Sequence, residues 1–138
     1  MTVDEIKNGV VIDHIKAGQG MEIYHFLELN KLDCTIAIIK NAYSPRMGRK
    51  DIIKIDTEDI PDLSVLGYID SALTINIIED GKTVKKYHPE LPLKIVDIVP
   101  CKNPRCITST EQELPHVFRL TDREKGTYLC IYCDSRSK

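Results

Sequence analysis

Apolar and polar positions alternate in short, β-branched runs along most of the chain, and those runs predict strands more often than helices. Val10-Val11-Ile12, leading into Asp13-His14-Ile15, predicts a first strand that Gly18 and Gly20 break. Before it, residues 1 to 9 carry no sustained periodicity and read as an arm with Val3 and Ile6 as its apolar points. From Met21 to Lys31, the residues Ile23, Tyr24, Phe26, Leu27 and Asn30 fall at helical spacing, so a helix is expected. Cys34 to Ile39 predicts a second strand, apolar enough for the middle of a sheet, with Cys34 as a small buried hydrophobe. Ser44-Pro45 and Gly48 mark Asn41 to Gly48 as a loop.

In the third strand, Asp51 to Asp56, Ile53 and Ile55 face one way while Ile52, Lys54 and Asp56 face the other. Asp59-Ile60-Pro61-Asp62 has the acids and early proline of a helix start. That helix is expected to run to about Ser71, burying Leu63, Leu66 and either Ile69 or Ile60. Thr74 to Ile78 and Thr83 to Tyr87 are the fourth and fifth strands. They join at Glu79-Asp80-Gly81-Lys82, where Asp-Gly supplies the positive φ angles of a type I′ turn.

Strand, helix, strand, strand, helix, strand, with one extra edge strand, is the split βαβ order of a ferredoxin-like α+β domain. His88-Pro89-Glu90-Leu91-Pro92 reads as a stiff linker, because closely spaced prolines stop a sheet. The expected domains are therefore residues 1–92 and 93–138. In the second, Lys94 to Val99 feeds a strand into a cysteine pair, and Val117-Phe118-Arg119-Leu120 pairs with Thr127 to Ile131 across Asp122 to Gly126.

The cysteines change the picture most. Cys101-x4-Cys106 and Cys130-x2-Cys133 are two close pairs separated by a loop, the spacing of a structural Zn(Cys)4 site with one ion per chain. Pro100, Asn103 and Pro104 supply turn residues for the first knuckle. Disulfides are the competing reading. Four thiolates leave no coordination position for water, so the metal is expected to be structural and the small all-β ribbon to depend on it.

Net charge of -2 argues against a chain that coats nucleic acid, and no apolar run approaches the ~20 residues of a membrane span. MTVDEIKNG has neither the apolar segment of a signal peptide nor the arginines of a transit peptide. A cytoplasmic protein with no membrane and no nucleic-acid partner is expected, and reduced thiols there favour zinc over disulfides.

Three classes of function fit to this point: a regulatory module, a nucleic-acid-binding ribbon and a small enzyme. There is no phosphate loop and no nucleophile elbow, and His25, His88 and His116 read as ordinary surface or core residues. In the ribbon Lys102, Arg105, Arg119, Arg123 and Lys125 are offset by Glu111, Glu113, Asp122 and Glu124, which weakens the nucleic-acid class. For the regulatory class, Asp13 and His14 on the first strand, Lys54 on the third, Asn76 on the fourth and Lys86 on the fifth could hold a phosphorylated ligand. Polar residues on a solvated sheet face would give the same pattern.

The stretches Gly9 to Ile15 and Met47 to Ile55, together with the spacing of Cys101, Cys106, Cys130 and Cys133, resemble the regulatory chains of aspartate carbamoyltransferase over the whole length. The resemblance implies a non-catalytic subunit. Its ferredoxin-like domain would bind CTP as inhibitor and ATP as activator, with UTP as a further effector, and form a homodimer. Its zinc domain would dock on the catalytic chain, three regulatory dimers joining two catalytic trimers in a dodecamer that controls pyrimidine biosynthesis. By the same resemblance Asp13 and His14 match ribose and phosphate contacts, Lys54 a base and ribose contact, and Lys86 a triphosphate contact. Asn76, Ile78, Ile6 and Val11 match positions lining the pocket. Asn103, Arg105 and Asp134 fall at the contact with the catalytic chain, Arg105 in place of an asparagine and Asp134 in place of a glutamate. Gly81 stands where a tyrosine is expected and Thr83 where a valine is. A zinc-ribbon nucleotide sensor serving another protein partner is the alternative.

Overall fold

The computed structural model describes residues 6–137. The backbone divides into two compact units, Met1–Glu90 and Leu91–Lys138. Val3, expected as an apolar point of the arm, lies outside the described residues.

In the first unit the chain runs through β1 (Gly9–Lys16), α1 (Gly20–Phe26), β2 (Thr35–Ser44), β3 (Gly48–Asp56), α2 (Leu66–Ile69), β4 (Thr74–Glu79) and β5 (Lys82–Tyr87). The strands lie in the order β2-β3-β1-β4-β5, and every neighbouring pair is antiparallel. With β3 inserted between β1 and β2, this is the split βαβ sheet with one added edge strand. Alternation decides the two faces. Val10 and Ile12 of β1, Ile53 and Ile55 of β3 and Ile75 of β4 are buried, and Ile23 of α1 and Leu66 of α2 join them in one cluster. Each such side chain contributes about 1.5–3 kcal/mol relative to exposure, so a tryptophan-free chain still has a core. The intervening residues Val11, Lys54 and Asn76 are only half-buried. Cys34 is half-buried at the margin of this cluster rather than inside it.

Both helices are shorter than their spacing predicts. The first stops at Phe26 because Glu28 adopts a left-handed φ of 53°, after which a 3-10 turn over Leu29–Lys31 buries Leu29. The second is a single turn. Upstream, side chains capture the backbone: Thr57 Oγ1 accepts from the Asp59 N–H, and Asp62 Oδ1 accepts from the Ser64 N–H. Downstream, Asp70 Oδ1 accepts from the Ala72 N–H. Such local bonds offer the chain an alternative to the helical ladder. Leu63 and Leu66 are buried as expected, whereas Ile60 is 40% exposed. The expected loop from Asn41 is also shorter, since β2 and β3 extend as a hairpin whose turn the Ser44 hydroxyl ties by accepting from the Met47 N–H. At the β4–β5 turn Asp80 and Gly81 have φ angles of 51° and 76°, the sign a type I′ turn requires.

The second unit holds β6 (Lys94–Val96), the single turn α3 (Ile107–Thr110), β7 (Val117–Asp122) and β8 (Thr127–Cys130), with the strands ordered β6-β7-β8 and antiparallel. Ile95, Val117, Phe118 and Tyr128 are buried, as are three of the cysteines. β6 ends before the predicted Val99 because Asp97 turns at φ 55° and exchanges hydrogen bonds with the His116 backbone. A unit of this size with so few core residues needs a further staple.

Candidate functional site

Strand register places the polar strand residues together. Val11 of β1 lies opposite Lys54 of β3 on one side and opposite Asn76 of β4 on the other, and Asn76 lies opposite Lys86 of β5. Residues in register share a face, so Lys54, Val11, Asn76 and Lys86 form one row across four strands on the side away from the isoleucine core. The row spans three strand spacings, roughly 14 Å. In the next row on that face Ile78 lies opposite Gly9 and Thr83. Ile6 is half-buried just before Lys7 and Asn8, which are tied to the β4–β5 turn: Lys7 O accepts from the Gly81 N–H and Asn8 Oδ1 from the Asp80 N–H.

Asp13 and His14 sit where β1 is bulged. The register against β3 slips by one between Ile12 and Ile15, and His14 takes a φ of 57°. A bulge of this kind re-aims the side chains it carries. His14 Nδ1 lies 3.1 Å from Thr74 Oγ1, and Asp13 Oδ1 forms an ion pair with Lys50 Nζ at 2.9 Å. Burial works to raise the Asp13 pKa, but the Lys50 ammonium and the His14 N–H outweigh it and hold the carboxyl below its ordinary 3.8. Lys50 has the same strand parity as Lys54, so three lysines and one acid face the same open sheet. Sequence reasoning did not single out Lys50. The signal was present in its parity with Lys54 in Arg49-Lys50-Asp51-Ile52-Ile53-Lys54. A cavity of about 670 Å³ elsewhere in the unit, whose lining includes Leu63, Ile75 and Tyr87, includes none of these residues.

In the second unit the four cysteines converge: their sulfurs all lie within 4.8 Å of one another. The Cys101–Cys133 and Cys106–Cys130 Sγ separations are 3.5 and 3.7 Å. A disulfide requires about 2.05 Å, whereas tetrahedral zinc with bonds of about 2.3 Å sets its thiolates about 3.8 Å apart. The donor set therefore fits zinc, and all four sulfurs belong to free cysteines. Local turns create the geometry. Asn103 O accepts from the Cys106 N–H in the first knuckle, and Cys130 O accepts from the Asp134 N–H in the second. Burial pushes the Cys101 thiol up to about 12, while the Ser135 hydroxyl brings Cys133 down to about 6. His116 is committed elsewhere, its Nδ1 accepting from the Cys101 N–H at 3.1 Å.

Asn103 is half-buried in the knuckle, where its Oδ1 accepts from the Arg105 N–H, and Arg105 is exposed beside it. Asp134 takes a φ of 59° after the second knuckle and pairs with Arg119 at 3.3 Å. Ile107, Ile131 and Tyr132, next to cysteines of the two knuckles, are 48%, 45% and 42% exposed. Among the described residues no helix is long and apolar enough to cross a membrane.

Two family models match. The one described as the aspartate carbamoyltransferase regulatory chain, allosteric domain, covers residues 1–90, and the one described as that chain's metal binding domain covers residues 93–138. Proteins named aspartate carbamoyltransferase regulatory chain from Clostridium tetani and Clostridium acetobutylicum are 52% and 50% identical. Each match covers 97% of this chain, and 94% and 92% of those relatives respectively. The protein of that name from Bifidobacterium longum is 40% identical over 100% of this chain and 99% of its own length.

Proposed function

The chain belongs to the family of aspartate carbamoyltransferase regulatory chains, a non-catalytic subunit, and from that premise we propose that it senses nucleotide triphosphates and passes their signal to a catalytic chain. The observation that carries the sensing half is the row Lys54–Val11–Asn76–Lys86 with the Asp13–His14 bulge at its edge. Lys86 at one end of the row and Lys54 at the other supply positive charge, which a polyanionic triphosphate requires. Asn76 offers both an amide donor and an acceptor, and Asp13 and His14 suit ribose hydroxyls and phosphate oxygens. Val11, Ile78 and Ile6 give the apolar surface on which a base can lie. CTP and ATP are the proposed effectors, with UTP a third.

The four cysteines hold one structural zinc, which supplies the cross-link that this small unit's core does not. Asn103, Arg105 and Asp134, on or beside the knuckles, form the docking surface for the catalytic chain. Residues 1–92 act as the sensor and homodimerise, residues 93–138 dock, and three such dimers join two catalytic trimers in the cytoplasm. An effector regulates only through unequal affinity for two states of that assembly; a coupling of about 1–3 kcal/mol is typical.

The sensing claim is tested by titrating the zinc-loaded chain with CTP and ATP in a calorimeter. Saturable binding at one nucleotide per sheet, lost when Lys54 and Lys86 are replaced by alanine, is expected. Absence of binding by the native chain would overturn it.

A further inference from the structure

Two hydroxyls touch the sulfur cluster without belonging to it. Thr108 Oγ1 donates to Cys106 Sγ at 3.1 Å, and Thr108 is buried to 3% exposure on the turn that begins at that cysteine. Ser135 Oγ lies 3.3 Å from Cys133 Sγ. The positions correspond: Cys106 and Cys133 are the second cysteines of their knuckles, and each is followed two residues later by a hydroxyl. At the same offset from Cys101 and Cys130 stand Asn103, which has no hydroxyl, and Tyr132, whose hydroxyl is at the far end of a phenol ring rather than on Cβ.

Against a zinc-bound thiolate, which has no proton, each hydroxyl is the donor. Four thiolates around Zn²⁺ carry two net negative charges, three of the cysteines being buried and Cys133 half-buried. A hydroxyl proton stabilises the thiolate charge and so lowers the sulfur's nucleophilicity, and it fixes the ligand's orientation, as outer-shell partners of metal ligands do. Cys133, the half-buried residue of the four, is thus one of the two whose sulfur meets a hydroxyl.

We propose that Thr108 and Ser135 are positioning residues of the metal centre: Thr108 retains the ion through Cys106, and Ser135 shields Cys133 from thiol-directed reagents. The proposal rests on the reading of the four cysteines as a zinc site.

The test uses the full zinc-loaded chain. Zinc content is measured first; a native chain that holds no zinc overturns the metal reading and this proposal with it. Zinc is then withdrawn with a competing chelator, and release is also followed after adding a mercurial. Thr108→Val should weaken zinc retention by about 10–100-fold and Thr108→Ser should restore it. Ser135→Ala should speed mercurial-driven release several-fold, and alkylation mapping by mass spectrometry should find Cys133 modified first. Retention and release within twofold of the native chain in both Thr108→Val and Ser135→Ala would overturn the proposal. If Thr108→Val does not fold, Ser135→Ala and the mapping decide it.

Discussion

Gly20 and Asp51 fix one another: the Gly20 N–H donates to Asp51 Oδ2 at 2.9 Å, and a Cβ at Gly20 would stand 2.8 Å from that oxygen. The carboxylate is fully buried and also accepts from the N–H groups of Gly18 and Asn41. It therefore ties the turn after β1 to the irregular stretch of β2, one residue from the Lys50 that holds Asp13. Asp51→Ala would leave the buried Gly20 N–H without its acceptor, while the exposed Gly18 and Asn41 could turn theirs to water, and should cost about 1–3 kcal/mol. Gly20→Ala should cost about 1–3 kcal/mol by crowding. Urea unfolding of the first unit measures both, and loss of less than about 0.5 kcal/mol in Asp51→Ala would contradict the assignment.

Lys86 is exposed on β5 and its removal leaves no buried group behind. Lys86→Ala should weaken triphosphate binding about 10-fold or more, since a hydrogen bond to a charged group is worth about 1.5–3 kcal/mol. Melting temperature and assembly should be unchanged. Unaltered nucleotide affinity would remove Lys86 from the site.

Much of this arrangement is legible in the sequence, for a physical reason. Ile53 and Ile55 against Ile52 and Lys54 define the two faces of β3 by alternation alone, and Asp80-Gly81 fixes the hairpin that sets Asn76 opposite Lys86. The cysteine spacing points to a cluster because each pair is local. The helix lengths were not legible. Residues such as Leu27 and Asn30 keep helical spacing, but Glu28 reverses its φ so that Leu29 reaches the core. Asp62 and Asp70 bond their own neighbouring backbone instead of continuing a helix. The bulge at His14 and the Asp13–Lys50 pair depend on register between distant strands, which one strand's pattern does not carry.

That pair makes Asp13 a reporter of the site. A carboxyl whose folded pKa lies below its unfolded value contributes stability above the unfolded value, and this is lost as pH falls through the folded one. Asp13 should accordingly stay ionised below pH 3.8, its ordinary value, and Lys50→Ala should move its titration upward. Carboxyl carbon NMR reads both. A titration insensitive to Lys50→Ala would show that the ion pair does not form.

Cys130, fully buried in β8, joins the metal cluster to the small sheet. Cys130→Ser should lose zinc and the ordered surroundings of Tyr128, while the first unit still unfolds cooperatively. Metal analysis with near-ultraviolet circular dichroism checks this; a native-like second unit without metal would contradict the structural role of zinc.

The central claim is that nucleotide binding on the open sheet is transmitted to a catalytic partner. Its most direct measurement mixes the zinc-loaded chain with the aspartate carbamoyltransferase catalytic chain of the same organism. The mass of the product and the rate of carbamoyl-aspartate formation are then determined with and without CTP and ATP. The account predicts a complex larger than the catalytic chain forms alone, whose rate changes with nucleotide, a response that Lys86→Ala blunts while the complex persists. A complex whose rate ignores both nucleotides, or no complex at all, would contradict it.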